Sequence, residues 1–439
     1  MNSLQNSKYN FKSPGLKLLL VCALVLLMTI PAMFIFVIIY DRSTRADQIS
    51  TEIAFAAGGA QKIVGPILAV PVETMDSDGI WSTNNTIFVF ANTGEVLADV
   101  DVSTKKKSLY SVQVYESDLS FKAEFDLGKL QSLNDNNKKI LINQALILLQ
   151  VSDLRGALSD AELTLEDGTT HVFSPESLNR GYGSGQYISA SIPNLADNGS
   201  LKVSATLRLG GAKQISIIPF AKSTKIRIVS NWPHPGFSGD YLPDNKQISD
   251  NGFVGSRTIP KLASGLPDTL SITAWNKFSQ QEKGMNVSFV SLSSPYQFVS
   301  RSLKYALLFI GLVFLTFFLF EMSNKRPVHA AQYVLVGLAQ TVFYLLLLAF
   351  SEHIGFDLAF AIAAIAVVAM TGLYAGAVFG KKQTVTALLL FSGVYLLLFV
   401  LMRLVDYALI VGAVASLIGI ATTMYMTRNL QWYGSGNDK

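Results

Sequence analysis

The sequence predicts an α-helical membrane protein with six transmembrane helices and a large β-rich extracytoplasmic domain, antiparallel and sandwich- or barrel-like, with a helix packed on one side. Three observations predict it. Half of the 439 residues are hydrophobic and only 15% are charged, whereas soluble domains carry about 25% charged residues. The apolar residues gather into six runs, each close to the roughly 20 residues that cross the hydrocarbon core as helix. Between the first run and the second lies a long stretch patterned as strands rather than as helices. The division that follows is residues 1–17 as a cytoplasmic N-terminus, 18–40 as a transmembrane anchor helix, 41–300 as a periplasmic β-rich domain, 301–427 as a five-helix transmembrane bundle and 428–439 as a cytoplasmic tail.

The first run follows Lys17 and ends at Tyr40, where Asp41 and Arg42 come at once. A cleaved secretory signal has an apolar region of only about 7–15 residues before a small-residue cleavage site. This run is longer and no such site follows, so it reads as an uncleaved signal anchor. Pro31 lies inside it, a kink that neighbouring helices can satisfy. The later runs are residues 303–322, 333–350, 358–379, 385–402 and 408–426, and their short connections make them antiparallel neighbours. Lysine and arginine mark the cytoplasmic side of such spans. Lys8, Lys12 and Lys17 precede the first run, and Lys325 with Arg326, Lys381 with Lys382, and Arg428 with Lys439 recur at alternate turns. The opposite turns hold SEHIGFD from Ser351, without lysine or arginine, and Arg403 alone. Both termini are therefore expected in the cytoplasm and residues 41–300 outside.

Within residues 41–300, Leu201, Val203, Ala205, Leu207 and Leu209 alternate with Lys202, Ser204, Thr206 and Arg208. That is a half-buried strand of period two. Residues 63–72, 86–90, 109–115, 213–218, 225–229, 270–274 and 287–290 read as further strands, separated by clusters of Gly, Asn, Asp and Ser. Leu141, Ala145, Leu148 and Leu149 fall at helical spacing, which predicts a helix over residues 138–150. The Gly-rich stretch at residues 181–185 reads as a subdomain boundary or a long hairpin.

Composition excludes several function classes. The net charge is only +4 and no basic cluster interleaves with aromatics, so no nucleic-acid partner is expected. The single cysteine, Cys22, lies in the first apolar run. The middle domain therefore has neither disulfides nor cysteine-based metal sites. The four histidines, His171, His234, His329 and His353, show no metal-ligand spacing. No phosphate-cradling loop occurs, and GYGSGQ from Gly181 resembles a nucleophile turn only in composition. No cofactor, metal or catalytic residue is expected.

Two constellations are candidate binding or docking sites. In NWPHPGFSGDYLPD, three prolines and two glycines bring together Trp232, His234, Phe237, Asp240 and Tyr241. Fixed proline φ angles give such a loop a definite shape. It reads as a binding platform or as a loop whose aromatics plug the core. The second constellation is Glu352, His353 and Asp357 in one turn at the outer membrane face, with Arg403 and Asp406 in the next. Ionisable groups near a span are costly and often functional. At helix ends they also serve simply to orient hairpins and dock the outer domain.

Charge is nearly absent within the spans, which argues against ion-coupled transport. Glu321 stands at a helix end beside Lys325 and Arg326. Gly372, Gly376 and Gly380, and again Ala408, Gly412 and Ser416, recur every fourth residue. Such stripes let helix backbones approach closely inside a bundle.

Several segments resemble one bacterial family. They are SNWPHPGFSGDYLP from Ser230, RSLKYALLFI from Arg301, FFLFE ending at Glu321, RPVHAAQYVLVGLAQTVFYLLLLAFSEHIGF from Arg326, DYALI from Asp406 and NLQWY from Asn429. GPILAVPV at Gly65 and SDLRG at Ser152 also fit. Over nearly the whole chain the sequence is similar to the CreD family. The resemblance implies an inner-membrane protein linked to cell-envelope integrity, controlled by a two-component system and associated with altered tolerance to colicins and β-lactams. It implies no catalytic activity and no cofactor. The expected function is thus a non-enzymatic envelope protein whose partners are the lipid bilayer and a periplasmic lipid, cell-wall or protein component. A transporter or lipid-handling protein, and a membrane enzyme acting on envelope polymers, are the alternatives.

Overall fold

The computed structural model describes residues 14–75, 78–107, 110–131, 134, 137–175, 186–192, 195, 199–281, 283–289, 295–324, 326–404 and 407–428. The chain divides into two compact units, Asp47–Leu292 and Met1–Ala46 with Ser293–Lys439. The first helix, α1 (Pro14–Ala56), starts in the membrane unit and ends in the β-rich one. It is interrupted only at Met28. The break lies just before Pro31, which thereby occupies the first turn of the resumed helix, where its missing N–H costs nothing.

The strands of the β-rich unit are, in order, β1 (Gln61–Met75), β2 (Trp81–Val89), β3 (Ala91–Lys107), β4 (Tyr110–Asp126), β5 (Lys138–Ile140), β6 (Leu146–Val151), β7 (Glu162–Leu165), β8 (Thr170–Val172), β9 (Ser174–Pro175), β10 (Gln186–Ser191), β11 (Ser200–Ala212), β12 (Gln214–Ile218), β13 (Ala221–Ser230), β14 (Pro235–Ser238), β15 (Asn245–Ser249), β16 (Gly252–Ile259), β17 (Thr269–Ser271) and β18 (Met285–Phe289). One sheet runs β14–β18–β12–β1–β6–β10–β9, with β2 and β5 also on β1 and β17 on β2. The other runs β15–β16–β13–β3–β4–β11–β7–β8. Neither closes into a barrel among the described residues. Phe88, Leu148 and Ile217 of the first sheet share one apolar core with Val96, Phe121 and Leu207 of the second, which is sandwich-like packing. β11 alternates buried and exposed residues as its sequence requires.

The sheets are mixed rather than wholly antiparallel. β1 pairs with β12, and β3 with β13, in parallel. Only strands joined by a tight hairpin must run antiparallel, and these partners are far apart in sequence. The helix expected over residues 138–150 is instead β5, a short 3₁₀ turn at Ile142–Gln144 and β6. All six residues of β6 are buried, between β1 and β10. A strand covered on both faces is apolar throughout and loses its period of two, so its leucines fell by coincidence at helical spacing. The expected strand at residues 270–274 stops at Ser271, whose hydroxyl caps α2 (Ile272–Ser279). This is the helix that packs on the sheet. Trp275 is buried against Phe88, with ring centroids 4.6 Å apart, and its indole N–H donates to the Tyr187 hydroxyl at 3.2 Å.

SDLRG forms the joint beside α1. The Gln61 side-chain amide donates to the carbonyls of Gly58 (2.8 Å) and Asp153 (2.9 Å) and accepts from the Asp153 N–H (3.2 Å). Ser152 Oγ accepts from the Lys62 N–H at 2.9 Å. The Arg155 guanidinium pairs with Asp153, holding that carboxyl below its usual range, and lies 3.6 Å from the centre of the Phe55 ring near the end of α1. Gly65 has φ +120°, and a side chain there would meet the Leu148 carbonyl at 2.7 Å, so only glycine fits where β1 crosses β6.

The membrane unit continues with α3 (Pro295–Lys304), α4 (Ala306–Asn324), α5 (Ala330–Ile354), α6 (Phe356–Phe379), α7 (Lys381–Arg403) and α8 (Ala408–Thr427). α1 and α4–α8 are six helices long and apolar enough to cross a membrane. Val21, Met28, Ile35 and Ile39 form the one buried stripe of α1 within this unit. Gly337 on α5 admits it, since a Cβ there would lie 2.5 Å from Met28 Sδ and 2.8 Å from Phe314 Cζ. Gly372 and Gly376 likewise let α6 close on Leu388 and Thr384 of α7. The stripe on α8 does not behave so, because nothing lies within 4 Å of a Cβ at Gly412.

Candidate functional site

The WPHP segment is a crossover between the sheets. β13, before it, and β15, after it, belong to one sheet, while β14 within it pairs with β18 of the other. The prolines and glycines turn the chain from one layer to the other and back. Asn231 secures the departure, accepting from the Val102 N–H at 2.8 Å and donating to the Val102 carbonyl at 3.2 Å and to Asp101. Trp232, Phe237 and Tyr241 pack partly buried against the core. Phe237 meets Phe253 edge to face at 5.4 Å. The Tyr241 hydroxyl donates to the Ala263 carbonyl at 3.1 Å, and burial, with Asp240 nearby, pushes its pKa up. His234 and Asp240 are exposed. The aromatics thus serve packing, and the two ionisable groups remain open to solvent.

The residues of the second constellation separate into two pairs. The Glu352 carboxylate, nearly buried, accepts from the Tyr296 hydroxyl at 3.0 Å and lies 3.9 Å from the Arg42 guanidinium. Asp357 pairs with Arg403, whose guanidinium also lies 5.5 Å from the Phe399 ring centre. His353 is exposed. Asp406 lies outside the described residues, as do Ser184 and the Gly-rich stretch. Among the described residues no hydrogen bond joins His234 to Asp240 or His353 to Glu352, and no group of three or more His, Cys, Asp or Glu is placed to hold a metal ion.

Sequence reasoning missed the most buried charge among the described residues. Glu321 is 2% exposed. It pairs with Lys17 on α1. The carboxylate also accepts from the Val328 N–H at 2.7 Å and the Tyr333 hydroxyl at 2.9 Å. A carboxylate so satisfied is tolerated in a low-dielectric interior, and here it fastens α1 to α4 and α5. Nothing local in the sequence signals a partner 304 residues away. Midway along α5, Gln340 accepts from the Tyr395 hydroxyl of α7 at 2.6 Å, a second polar tie inside the bundle. His329 caps α5, accepting from the Ala331 N–H at 3.2 Å.

Comparison with known proteins accords with this architecture. The family described as "Inner membrane protein CreD" matches residues 13–433. The Inner membrane protein CreD of Escherichia coli (strain K12) is 33% identical over 431 residues, covering 93% of this chain and 91% of its own length. A crystal structure from Parabacteroides distasonis aligns with 70% of this chain and 59% of that one, at 10% identity and a TM-score of 0.21, a likeness too slight to bear on fold or chemistry. With six apolar helices and a family match across nearly its whole length, the chain belongs to the CreD family and is a multi-pass inner-membrane protein of the cell envelope.

Proposed function

We propose that the protein is a non-enzymatic component of cell-envelope integrity whose β-rich unit stands on the periplasmic side and binds a lipid, cell-wall or protein partner there. The observation that carries this reading is the charge at the two ends of the helices. By sequence, Lys8, Lys12, Lys17, Lys325, Arg326, Lys381, Lys382 and Arg428 flank the spans at the end where α1 starts. At the other end stand Arg42, Arg45, Arg301, Lys304 and Arg403. An excess of Lys and Arg supports a cytoplasmic first end. The separation of His234, Asp240, Glu352 and His353 into exposed or already partnered groups supports a role without acid–base catalysis, which needs two such groups within reach of one ligand atom.

In a Cys22→Ser background, Ser249→Cys is expected to react with a membrane-impermeant maleimide in spheroplasts, and Arg428→Cys only after lysis. The reverse pattern overturns the orientation. Deletion in the native host should raise sensitivity to detergent or β-lactams under inducing conditions, and an unchanged phenotype removes the envelope role. His234→Ala and His353→Ala should each complement the deletion, and failure of a stably inserted variant would favour an enzyme.

A further inference from the structure

The outer faces of α4, α7 and α8 enclose an open-sided cleft of about 980 Å³ within the membrane unit. That is the scale of a small-molecule or lipid site rather than of a packing defect. Its walls are aliphatic along most of their length, with Leu315, Leu319, Leu390, Val394, Val414 and Ile418 among the lining residues. Along α8 it extends from Ile410 to Met426, about 24 Å at 1.5 Å per residue. A single leaflet of the hydrocarbon core is about 15 Å deep, so the cleft can receive a whole acyl chain.

One end of the cleft is different. Ser323, Asn324, Lys382 and Gln383 line it there. Gln383 Nε2 donates to Asn324 Oδ1 at 2.5 Å, and Asn324 Nδ2 donates to the Phe320 carbonyl at 2.8 Å, so the mouth is braced across α4 and α7. Lys382 supplies the cation, and no carboxylate appears among the described lining residues. An apolar trough that ends in a cation and side-chain amides is complementary to an amphiphile with an anionic head. It is not complementary to a zwitterion or to a polar solute crossing the bilayer. α8 closes the trough only loosely. It approaches α4 closely at Gly419, where a Cβ would meet Leu312 Cδ2 at 2.9 Å.

We propose that this cleft binds one anionic phospholipid, with its acyl chains along α4, α7 and α8 and its phosphate at Lys382, Asn324 and Gln383. The proposal stands on the cleft alone. The orientation argued above adds only that the lipid would come from the cytoplasmic leaflet.

The test uses the full chain in mild detergent, with phosphatidylglycerol and phosphatidylcholine as probes, read by native mass spectrometry and by the thermal midpoint. Phosphatidylglycerol should remain bound after delipidating washes and raise the midpoint, while phosphatidylcholine should do neither. Reversing the one cation with Lys382→Glu should weaken retention by about tenfold or more, since each basic group near an anionic headgroup contributes on that order. Val414→Trp should fill the trough and abolish retention. Leu417→Trp, on a residue 66% exposed that does not line the cleft, should leave it unchanged. Equal retention of both lipids, or retention unaffected by Lys382→Glu, overturns the proposal. So does a dimer that Val414→Trp dissociates, because the trough would then belong to a second copy of the chain. Lys382 is exposed, so its variant carries the test even where Val414→Trp fails to insert.

Discussion

The two least buried spans of the membrane unit, α1 and α8, are both apolar enough to cross a membrane but are attached in opposite ways. α1 presents a buried stripe, enters the notch at Gly337 and carries an ion pair to the buried Glu321. On α8, among the described residues whose side chains are described, only Gly412 and Thr427 are buried. Its side-chain hydroxyls bond back to its own carbonyls, as Ser416 to Gly412 and Thr423 to Gly419. Lipid tails are as apolar as leucine, so apolar surface alone does not drive helix association in a bilayer. Shape and polar ties decide it. α1 has both, whereas the described side-chain hydroxyls of α8 bond within the helix itself.

The largest blow to this contrast would come at Glu321. Glu321→Ala leaves Lys17 without its buried partner and should cost about 3 kcal/mol, read as a lowered midpoint on denaturant titration of the protein in detergent micelles. A loss under about 1 kcal/mol would mean that α1 is held by packing alone. Gly337→Leu overfills the notch against Met28 and the buried Phe314 ring and should cost about 2 kcal/mol in the same titration. An unchanged midpoint would place α1 elsewhere. The far end of α1 tests the same idea through pH. Arg155 holds the Asp153 carboxyl below its unfolded pKa, so that stabilisation is present above the unfolded value, about 3.9, and is lost as pH falls through the folded one. Arg155 is half exposed, so solvent screening keeps this contribution small. Asp153→Asn should flatten the acid limb of the thermal-midpoint profile, and an identical limb would remove the pair from the account. The smallest effect belongs to α8. A Cβ at Gly412 would meet nothing within 4 Å, so Gly412→Leu should stay within about 0.5 kcal/mol in detergent titration. A large loss would show that the bundle closes on α8 after all.

How far each feature could be read from sequence follows from how local its cause is. A span needs only length and apolarity, so the six helices were legible, and α8 was legible as a helix though not as a loose one. β11 showed its faces because one face meets solvent. β6 did not, being covered on both sides. α2 is too short for its period to outweigh the strand-like residues before it. The WPHP segment announced itself by composition, but its role as a crossover depends on which sheets β13, β14 and β15 join. The partnering of Asp357 with Arg403, and of Glu352 with Tyr296 and Arg42, required the tertiary fold for the same reason. Asp406 falls outside the described residues.

The crossover has a further consequence at the rim of the sandwich. β14, within it, and β15, after it, are each the last strand at one edge of their respective sheets. An unpaired outer strand offers its N–H and C=O groups to any neighbouring chain. Here one such strand has four residues and begins with Pro235, which has no N–H to offer, and the other has five, all exposed, with Lys246 among them. Short, proline-bearing and charged borders resist zipping, so copies crowded on one bilayer find no long flat seam along which to polymerise at this rim.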